Sequence, residues 1–333
     1  MAEVLVTGGA GYIGSAVTEL LVERGHHPVV LDNLSQGHRA AIAPGAKLIE
    51  ADIQDRDALA RAFAAHRFDA VMHFSALIAV GESVEQPLRY YRQNVVGLMN
   101  VVDAMRAAGV GAIVFSSTAA VYGAPKENPI TENCPVGPIN PYGWTKLMCE
   151  QILADSAAIP GAAPPFGWIA LRYFNVAGAT RQCGEAHHPE THLIPRILDV
   201  AAGHRPHAEL YGTDYATPDG TCLRDYIHIL DLADAHILAV EALLRGAALP
   251  QRVFNLGNNR GYSVREVIAG VERVTGKKVP VVNHPRRDGD SPALVASHEA
   301  ARRVLGWTPR RGLDEILSSA WDWRQRHPRG YAE

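Results

Sequence analysis

The sequence predicts an α/β fold: a doubly wound parallel sheet with a smaller α/β lobe that follows it. Three observations carry that expectation. Short apolar runs alternate with Ala/Leu-rich stretches through the first half, a glycine-rich turn joins the first run to the first helical stretch, and the alternation loosens after residues 159–167. Strands alternating with helices make βαβ units around a parallel sheet. Right-handed crossovers then place helices on both of its faces. The 333 residues are 47% hydrophobic and 20% charged. At ~150 residues per domain that suggests about two units, with enough buried surface to support a cleft between them.

In chain order, strands are expected at Val4-Leu5-Val6, Pro28 to Leu31, Lys47 to Glu50, Ala70 to His73 and Ala112 to Phe115, each apolar and bounded by Gly, Asp or Asn. Helices are expected at Ser15 to Arg24, Asp57 to His66, Gly97 to Ala108 and Thr145 to Ala158, before a strand from Trp168 to Tyr173. Two long loops follow, 178–191 rich in His and Pro and 203–220 rich in Gly, Asp and Pro. Loops of that length usually carry function. Arg224 to Leu243 reads as a strand end and a helix, and Val253 to Leu256 as a strand. We therefore expect a dinucleotide-binding unit over 1–175, with a return at about 225–257, and a substrate lobe over 176–333.

The charge balance is 32 basic against 35 acidic residues, a formal net charge of -3. It argues against nucleic acid and anionic membrane as partners. No apolar run approaches the ~20 residues that span a bilayer. A first strand starting at Val4 leaves no room for a secretory leader. Cys134, Cys149, Cys183 and Cys222 are spaced by 15, 34 and 39 residues, which matches no paired metal or redox motif. Free thiols in a reducing, cytoplasmic compartment are expected.

In Thr7-Gly8-Gly9-Ala10-Gly11-Tyr12-Ile13-Gly14, three glycines stand three apart between a strand and a helix. Glycine is needed there for a tight turn, for close approach of backbone to a pyrophosphate and for close helix–strand packing. The helix N-terminus then offers unpaired N–H groups to the phosphates. Asp32 lies 18 residues beyond Gly14, placed to accept hydrogen bonds from an adenosine ribose. Its charge repels a 2′-phosphate, so NAD is favoured over NADP.

The Gly-x-x-Gly-x-x-Gly spacing resembles that of the extended short-chain dehydrogenase/reductases, which directs attention to a tyrosine and a lysine. Tyr142 and Lys146 stand four apart, on one face of a helix. Tyr122 and Lys126 have the same spacing, but Pro125 lies between them and breaks any helix there. Pro141 precedes Tyr142, at a first-turn position proline tolerates. The implied chemistry is oxidation of an alcohol, with Tyr142 as base. A free phenol has a pKa of ~10. Bringing it to ~7 takes roughly 4 kcal/mol of preference for the anion. The Lys146 ammonium and a positive nicotinamide are the expected source. Thr118 ends a strand at the carboxyl edge of the sheet and offers its hydroxyl to the same substrate oxygen.

Over essentially its whole length the chain resembles the UDP-glucose 4-epimerase family. The resemblance rests on Thr7 to Gly14, Asp32-Asn33-Leu34, His73-Phe74, Val80 to Ser83, Phe115 to Gly123, Pro141 to Lys146, Leu171 to Asn175, Arg224 to His228 and Pro285 to Asp290. It implies a Rossmann-type NAD-binding unit and oxidation of the C4 hydroxyl of a UDP-sugar to a 4-keto intermediate that is reduced on its opposite face. It implies Tyr142, Lys146 and Thr118 as catalytic. For NAD it implies Gly8, Gly11, Tyr12, Ile13, Gly14, Asp32, Asn33, Asp52, Ile53, Phe74, Asn94, Lys146 and Tyr173. For the UDP-sugar it implies Thr118, Tyr142, Asn175, His192, Leu193, Tyr211, Arg224, Tyr226, Arg287, Asp290 and Leu294, with the two arginines forking onto phosphate and Tyr211 offering a ring for a base to stack on. A homodimer through first-lobe helices is also implied.

Three positions depart from the family pattern. Ile78 replaces a lysine near the cofactor, His192 an asparagine by the sugar nucleotide, and Leu294 a tyrosine that closes the sugar pocket in some members. The smaller Leu294 leaves room for a 2-acetamido group, so N-acetylhexosamine substrates are expected beside UDP-glucose and UDP-galactose. Glu185, His187, His188 and His192 look like a metal cluster, but Pro189 interrupts them and the reaction needs no Lewis acid, so no metal is expected. The alternatives are a UDP-pentose 4-epimerase and a nucleotide-sugar 4,6-dehydratase. The second needs a further acid and base, and the two positions after Thr118 are Ala119 and Ala120. An NAD-dependent dehydrogenase with net redox and an idle NAD-binding protein are more distant alternatives.

Overall fold

A computed structural model describes residues 1–161, 163–287 and 289–331. The first half contains β1 (Glu3–Thr7), α1 (Tyr12–Glu23), β2 (His27–Asp32), β3 (Lys47–Glu50), α2 (Arg56–Ala65), β4 (Ala70–His73), α3 (Val80–Glu85), α4 (Pro87–Tyr90), α5 (Gly97–Ala107), β5 (Ala112–Thr118), α6 (Pro141–Ala157) and β6 (Gly167–Tyr173). A wide π turn, Tyr91–Val96, joins α4 to α5. The second half contains β7 (Asn175–Ala177), α7 (Leu193–Ala201), β8 (Ala208–Tyr211), β9 (Leu223–His228), α8 (Ile229–Leu244), β10 (Val253–Leu256), β11 (Gly261–Ser263), α9 (Val264–Thr275), β12 (Val281–His284), β13 (Ala293–Leu294), α10 (Glu299–Leu305) and α11 (Leu313–Arg326).

Seven strands form one parallel sheet in the order β3-β2-β1-β4-β5-β6-β10. Strand order reverses between β1 and β4, and ligands bind such sheets in the crevice beyond the carboxyl ends at that point. One face packs Val4, Val6, Met72, Val114 and Leu171 against α1, α8 and α10. The other packs Leu5, Leu31, Val71, Ile113 and Phe115 against α2, α5 and α6. Strands buried on both faces explain the continuous apolar runs in the sequence.

The second lobe is built on β11-β9-β13 with β7 beside β9, plus the pair β12-β8. It has its own core, in which Ile194, Ile197, Val267, Val271, Ile316 and Leu317 are buried. Within the expected return at about 225–257, α8 and β10 lie on the large sheet while β9 stays in the second lobe. A further return was not expected: Ala300, Ala301, Leu305 and Trp307 join the core beside α8. No described helix is long and apolar enough to cross a membrane.

Candidate active site

The glycine turn is shaped by contacts only glycine allows. Gly8 has φ +74, and a Cβ there would meet the Ser75 amide at 2.5 Å. A Cβ on Gly14 would lie 2.2 Å from the Gly8 carbonyl. Gly11 caps α1 with no side-chain hydrogen bond, and the first turn holds no acid. This leaves the positive end of α1 open to an anion, so the turn fits a pyrophosphate. The Asp32 carboxylate accepts the Ala10 N–H at 3.0 Å and the Leu34 N–H at 2.9 Å, fixing the end of β2 against the turn. Its burial raises its pKa while those two amides pull it down.

The other expected cofactor residues fall into two groups. Asn33 donates to Asp52 at 2.7 Å on the rim, with Ile53 buried below and Ile13 packed on the core. Phe74 leans on His236, centroids 4.9 Å apart. Three residues have their side-chain polar groups engaged within the protein. The Tyr12 hydroxyl donates to the Gly178 carbonyl at 2.7 Å. Asn94, in the π turn, accepts from Leu77 N–H at 2.8 Å and donates to Leu77 O and Thr145 Oγ1, both at 3.0 Å. Tyr173 hydrogen-bonds Ser116.

The helix bearing Tyr142 begins at Pro141, earlier than the expected Thr145, because Asn140 accepts the Gly143 N–H at 2.8 Å and Pro141 fills the first turn. Tyr142 is half-buried at this end, and Thr118 lies opposite, its oxygen accepting the Ala120 N–H at 3.2 Å. The buried Lys146 ammonium donates to the Ser116 carbonyl at 2.9 Å, 5.0 Å from the Phe115 ring centre and 5.9 Å from that of Tyr142. The three expected catalytic residues thus meet at the carboxyl edge of the sheet. Tyr122, the competing match, is buried in a short 3-10 turn with its hydroxyl on Asn255 at 2.7 Å.

The expected acidification of Tyr142 is corrected in one respect. With protein groups alone around it, burial pushes the phenol up to about 12, opposed by a hydrogen bond with Thr118. Burial likewise brings Lys146 down to about 8, opposed by the neighbouring Cys149 and Glu150. His73, which bonds Thr7 at 2.8 Å, is held neutral by burial, its pKa lowered to about 3.

Sequence reasoning missed the support beneath this set. Glu150, one turn beyond Lys146, is buried against Arg172 of β6 through two hydrogen bonds at 2.9 and 2.5 Å. Its carboxylate also accepts from Ser117 at 2.5 Å, and Arg172 donates to Tyr122 at 2.9 Å. The only sequence signal was the Lys-to-Glu spacing on α6.

On the second lobe, β13 pairs with β9 so that Leu294 stands beside Arg224. Arg224 does not present a free fork: it donates to the Leu223 and Ser291 carbonyls, both at 2.9 Å, and pairs with Asp290 at 3.1 Å. Nor is Tyr211 an open stacking ring. The Arg287 guanidinium lies 3.8 Å from its centre, and His284 stacks on it at 5.0 Å. Asn175 donates to the Asp225 carbonyl at 3.0 Å, and Tyr226 is buried, which raises its pKa. Leu193 opens α7, and His192 before it pairs with Glu190 at 2.8 Å. Leu294 packs against the cluster of Val121, Tyr122, Ile130 and Cys134, and Ile78 is exposed.

Residues 4–257 match the model of the NAD dependent epimerase/dehydratase family. A UDP-glucose 4-epimerase of Streptomyces lividans is 49% identical over 98% of this chain and 97% of its own. The crystal structure of a Brucella ovis UDP-glucose 4-epimerase in complex with NAD superposes with a TM-score of 0.92 at 46% identity, over 97% of this chain and 98% of that one. A Stenotrophomonas maltophila UDP-glucose-4-epimerase with bound NAD and formylated UDP-arabinopyranose gives 0.93 at 41% identity, over 99% of both chains.

Proposed function

The chain belongs to the NAD dependent epimerase/dehydratase family, and from that we propose that Tyr142, Thr118 and Lys146 carry out epimerisation at C4 of a UDP-sugar. The enzyme is an NAD-dependent UDP-sugar 4-epimerase. The observation that carries the residue assignment is the meeting of those three side chains beyond β5, beside a glycine turn shaped for a pyrophosphate.

Gly8, Gly11, Tyr12, Ile13 and Gly14 would hold the pyrophosphate of NAD, and Asp32 and Asn33 its adenosine ribose. Bound there, NAD supplies a two-electron acceptor and donor for the C4 hydrogen, and its nicotinamide charge favours the phenolate. Tyr142 takes the proton of the C4 hydroxyl while Thr118 hydrogen-bonds the same oxygen. Lys146 stays cationic below pH about 8 and supports the negative phenolate. Once the 4-keto sugar presents its other face, Tyr142 returns the proton to the new hydroxyl. Arg287, on the Tyr211 ring, is the guanidinium we assign to the diphosphate. Arg224 and Asp290 act as a pair that shapes that end. The first lobe would hold NAD and the second the sugar nucleotide.

Ala119 and Ala120 offer no acid or base for a dehydration, which supports epimerisation. Leu294, smaller than tyrosine, supports acceptance of N-acetylhexosamines beside UDP-glucose and UDP-galactose. The relative holding a UDP-arabinopyranose derivative favours the pentose as a second reading of the sugar. Val84, Leu88, Val96, Met99, Trp144 and Met148 are exposed on α3 to α6 and the π turn, and we read them as the face that seats a second copy. Four buried free thiols support a cytoplasmic setting.

The test is to incubate the purified protein with UDP-galactose and no added NAD, and to identify the sugar formed. UDP-glucose is expected. A requirement for exchanging external NAD, or a dehydrated product, would reject the reading.

A further inference from the structure

Four donor side chains outside the catalytic set meet on the loop between β7 and α7. One ligand atom each from Glu185, His187, Glu190 and His192 lies within 4.8 Å of the other three. The spacing is Glu-x-His twice over, and each unit is paired within itself. His187 Nδ1 faces the Glu185 carboxylate, and His192 Nδ1 lies 2.8 Å from Glu190. The main-chain N–H groups of His187 and His192 donate to the same two carboxylates at 3.2 and 2.6 Å, which fixes the carboxylates inward. The two imidazole rings sit 5.7 Å apart and tilted by 37°. Pro189 lies between the two pairs and does not separate them.

We propose that this loop is a structural site for one divalent cation of the zinc class, held by Glu185, His187, Glu190 and His192. Zinc takes nitrogen and carboxylate ligands at ~2.0–2.2 Å, so tetrahedral donors stand ~3.4 Å apart. A set already within 4.8 Å reaches that by side-chain rotation. Two imidazoles select against magnesium and calcium, which prefer oxygen. Three members are largely enclosed, while His192 is 49% exposed, leaving a path for the ion to enter. Each imidazole binds metal in its neutral form, so uptake releases protons. A closed four-ligand site needs no part in the reaction, which answers the sequence argument that epimerisation requires no Lewis acid. Its effect would be to tie down the loop that meets Tyr12 through Gly178 and opens α7 at Leu193.

The experiment is a calorimetric titration of zinc chloride into chelator-treated holoenzyme with NAD retained. One ion per chain is expected, undisturbed by excess magnesium. Glu185→Gln and His187→Ala are each expected to weaken binding at least ~10-fold, with retained NAD absorbance showing that the variant is folded. If His187→Ala does not fold, Glu185→Gln decides. Absence of saturable zinc binding, displacement by magnesium, or unchanged affinity in the folded variants overturns the proposal.

Discussion

The Lys146 ammonium lies 5.9 Å from the centre of the Tyr142 ring and gives its hydrogen bond to the Ser116 carbonyl at 2.9 Å. It therefore acts on the phenol through space. At that range, in a site shielded from water, a cation still favours the phenolate, while burial, opposed by the Thr118 hydrogen bond, holds the phenol up at about 12. The acidity of the phenol is thus set by opposing contributions, and each has a measurable consequence.

Tyr142→Phe removes the phenol that hydrogen-bonds Thr118. Loss of a general base costs ~10²–10⁴-fold. The variant is expected to lose epimerisation by about 10³-fold in a coupled UDP-galactose assay while retaining NAD and its circular dichroism. Thr118→Val is expected to cost about 10²-fold, as for a single lost donor to a developing oxyanion. Near-normal turnover in Tyr142→Phe would remove the phenol from the mechanism.

Burying the Lys146 ammonium costs stability. Its pKa falls from 10.5 to about 8 on burial, so between those values the unfolded chain binds more protons than the folded one. Stability then rises with pH across that window and is lost as pH falls through about 8. The difference is at most about 3 kcal/mol. Urea midpoints measured without bound dinucleotide should show wild type gaining on Lys146→Met from pH 8 to 10.5. A constant gap would show that the ammonium is not buried in solution.

The Glu150–Arg172 pair, with Ser117 and Tyr122, ties α6 to the ends of β5 and β6. Breaking one side of a buried pair costs about 3–5 kcal/mol because the other charge is left uncompensated. Glu150→Ala is expected to lose that much in urea denaturation. Glu150→Leu combined with Arg172→Met is expected to lose less than the two single changes added together. Strict additivity would mean that the pair is not coupled.

The large sheet was legible because its inner strands are buried on both faces and read as apolar runs between glycine, aspartate and asparagine. The glycine turn and the helix that carries Tyr142 were legible because proline, glycine and helix periodicity act locally. The rest depends on distant partners. Nothing local marks residues 300–307 as returning to the first core, or Arg224 as already paired with Asp290 sixty-six positions away. The pKa of Tyr142 escaped for the same reason: a motif names the neighbouring lysine but carries no information about desolvation.

Leu294 tests how the sugar is chosen. It stands on β13 in register with Arg224 of β9 and packs against the cluster of Val121, Tyr122, Ile130 and Cys134. It thus lies between the turn that follows Thr118 and the strand bearing Arg224. A tyrosine there adds a ring and a hydroxyl to a half-buried position, and in the proposed sugar site that volume is what a 2-acetamido group would need. Discrimination by a few heavy atoms in an apolar pocket is worth ~10–200-fold. Leu294→Tyr is therefore expected to lower kcat/KM for UDP-N-acetylglucosamine at least ~10-fold while leaving UDP-glucose nearly unchanged. If the wild type turns over no UDP-N-acetylglucosamine, or the variant loses both substrates equally, Leu294 is a packing residue and the sugar is selected elsewhere.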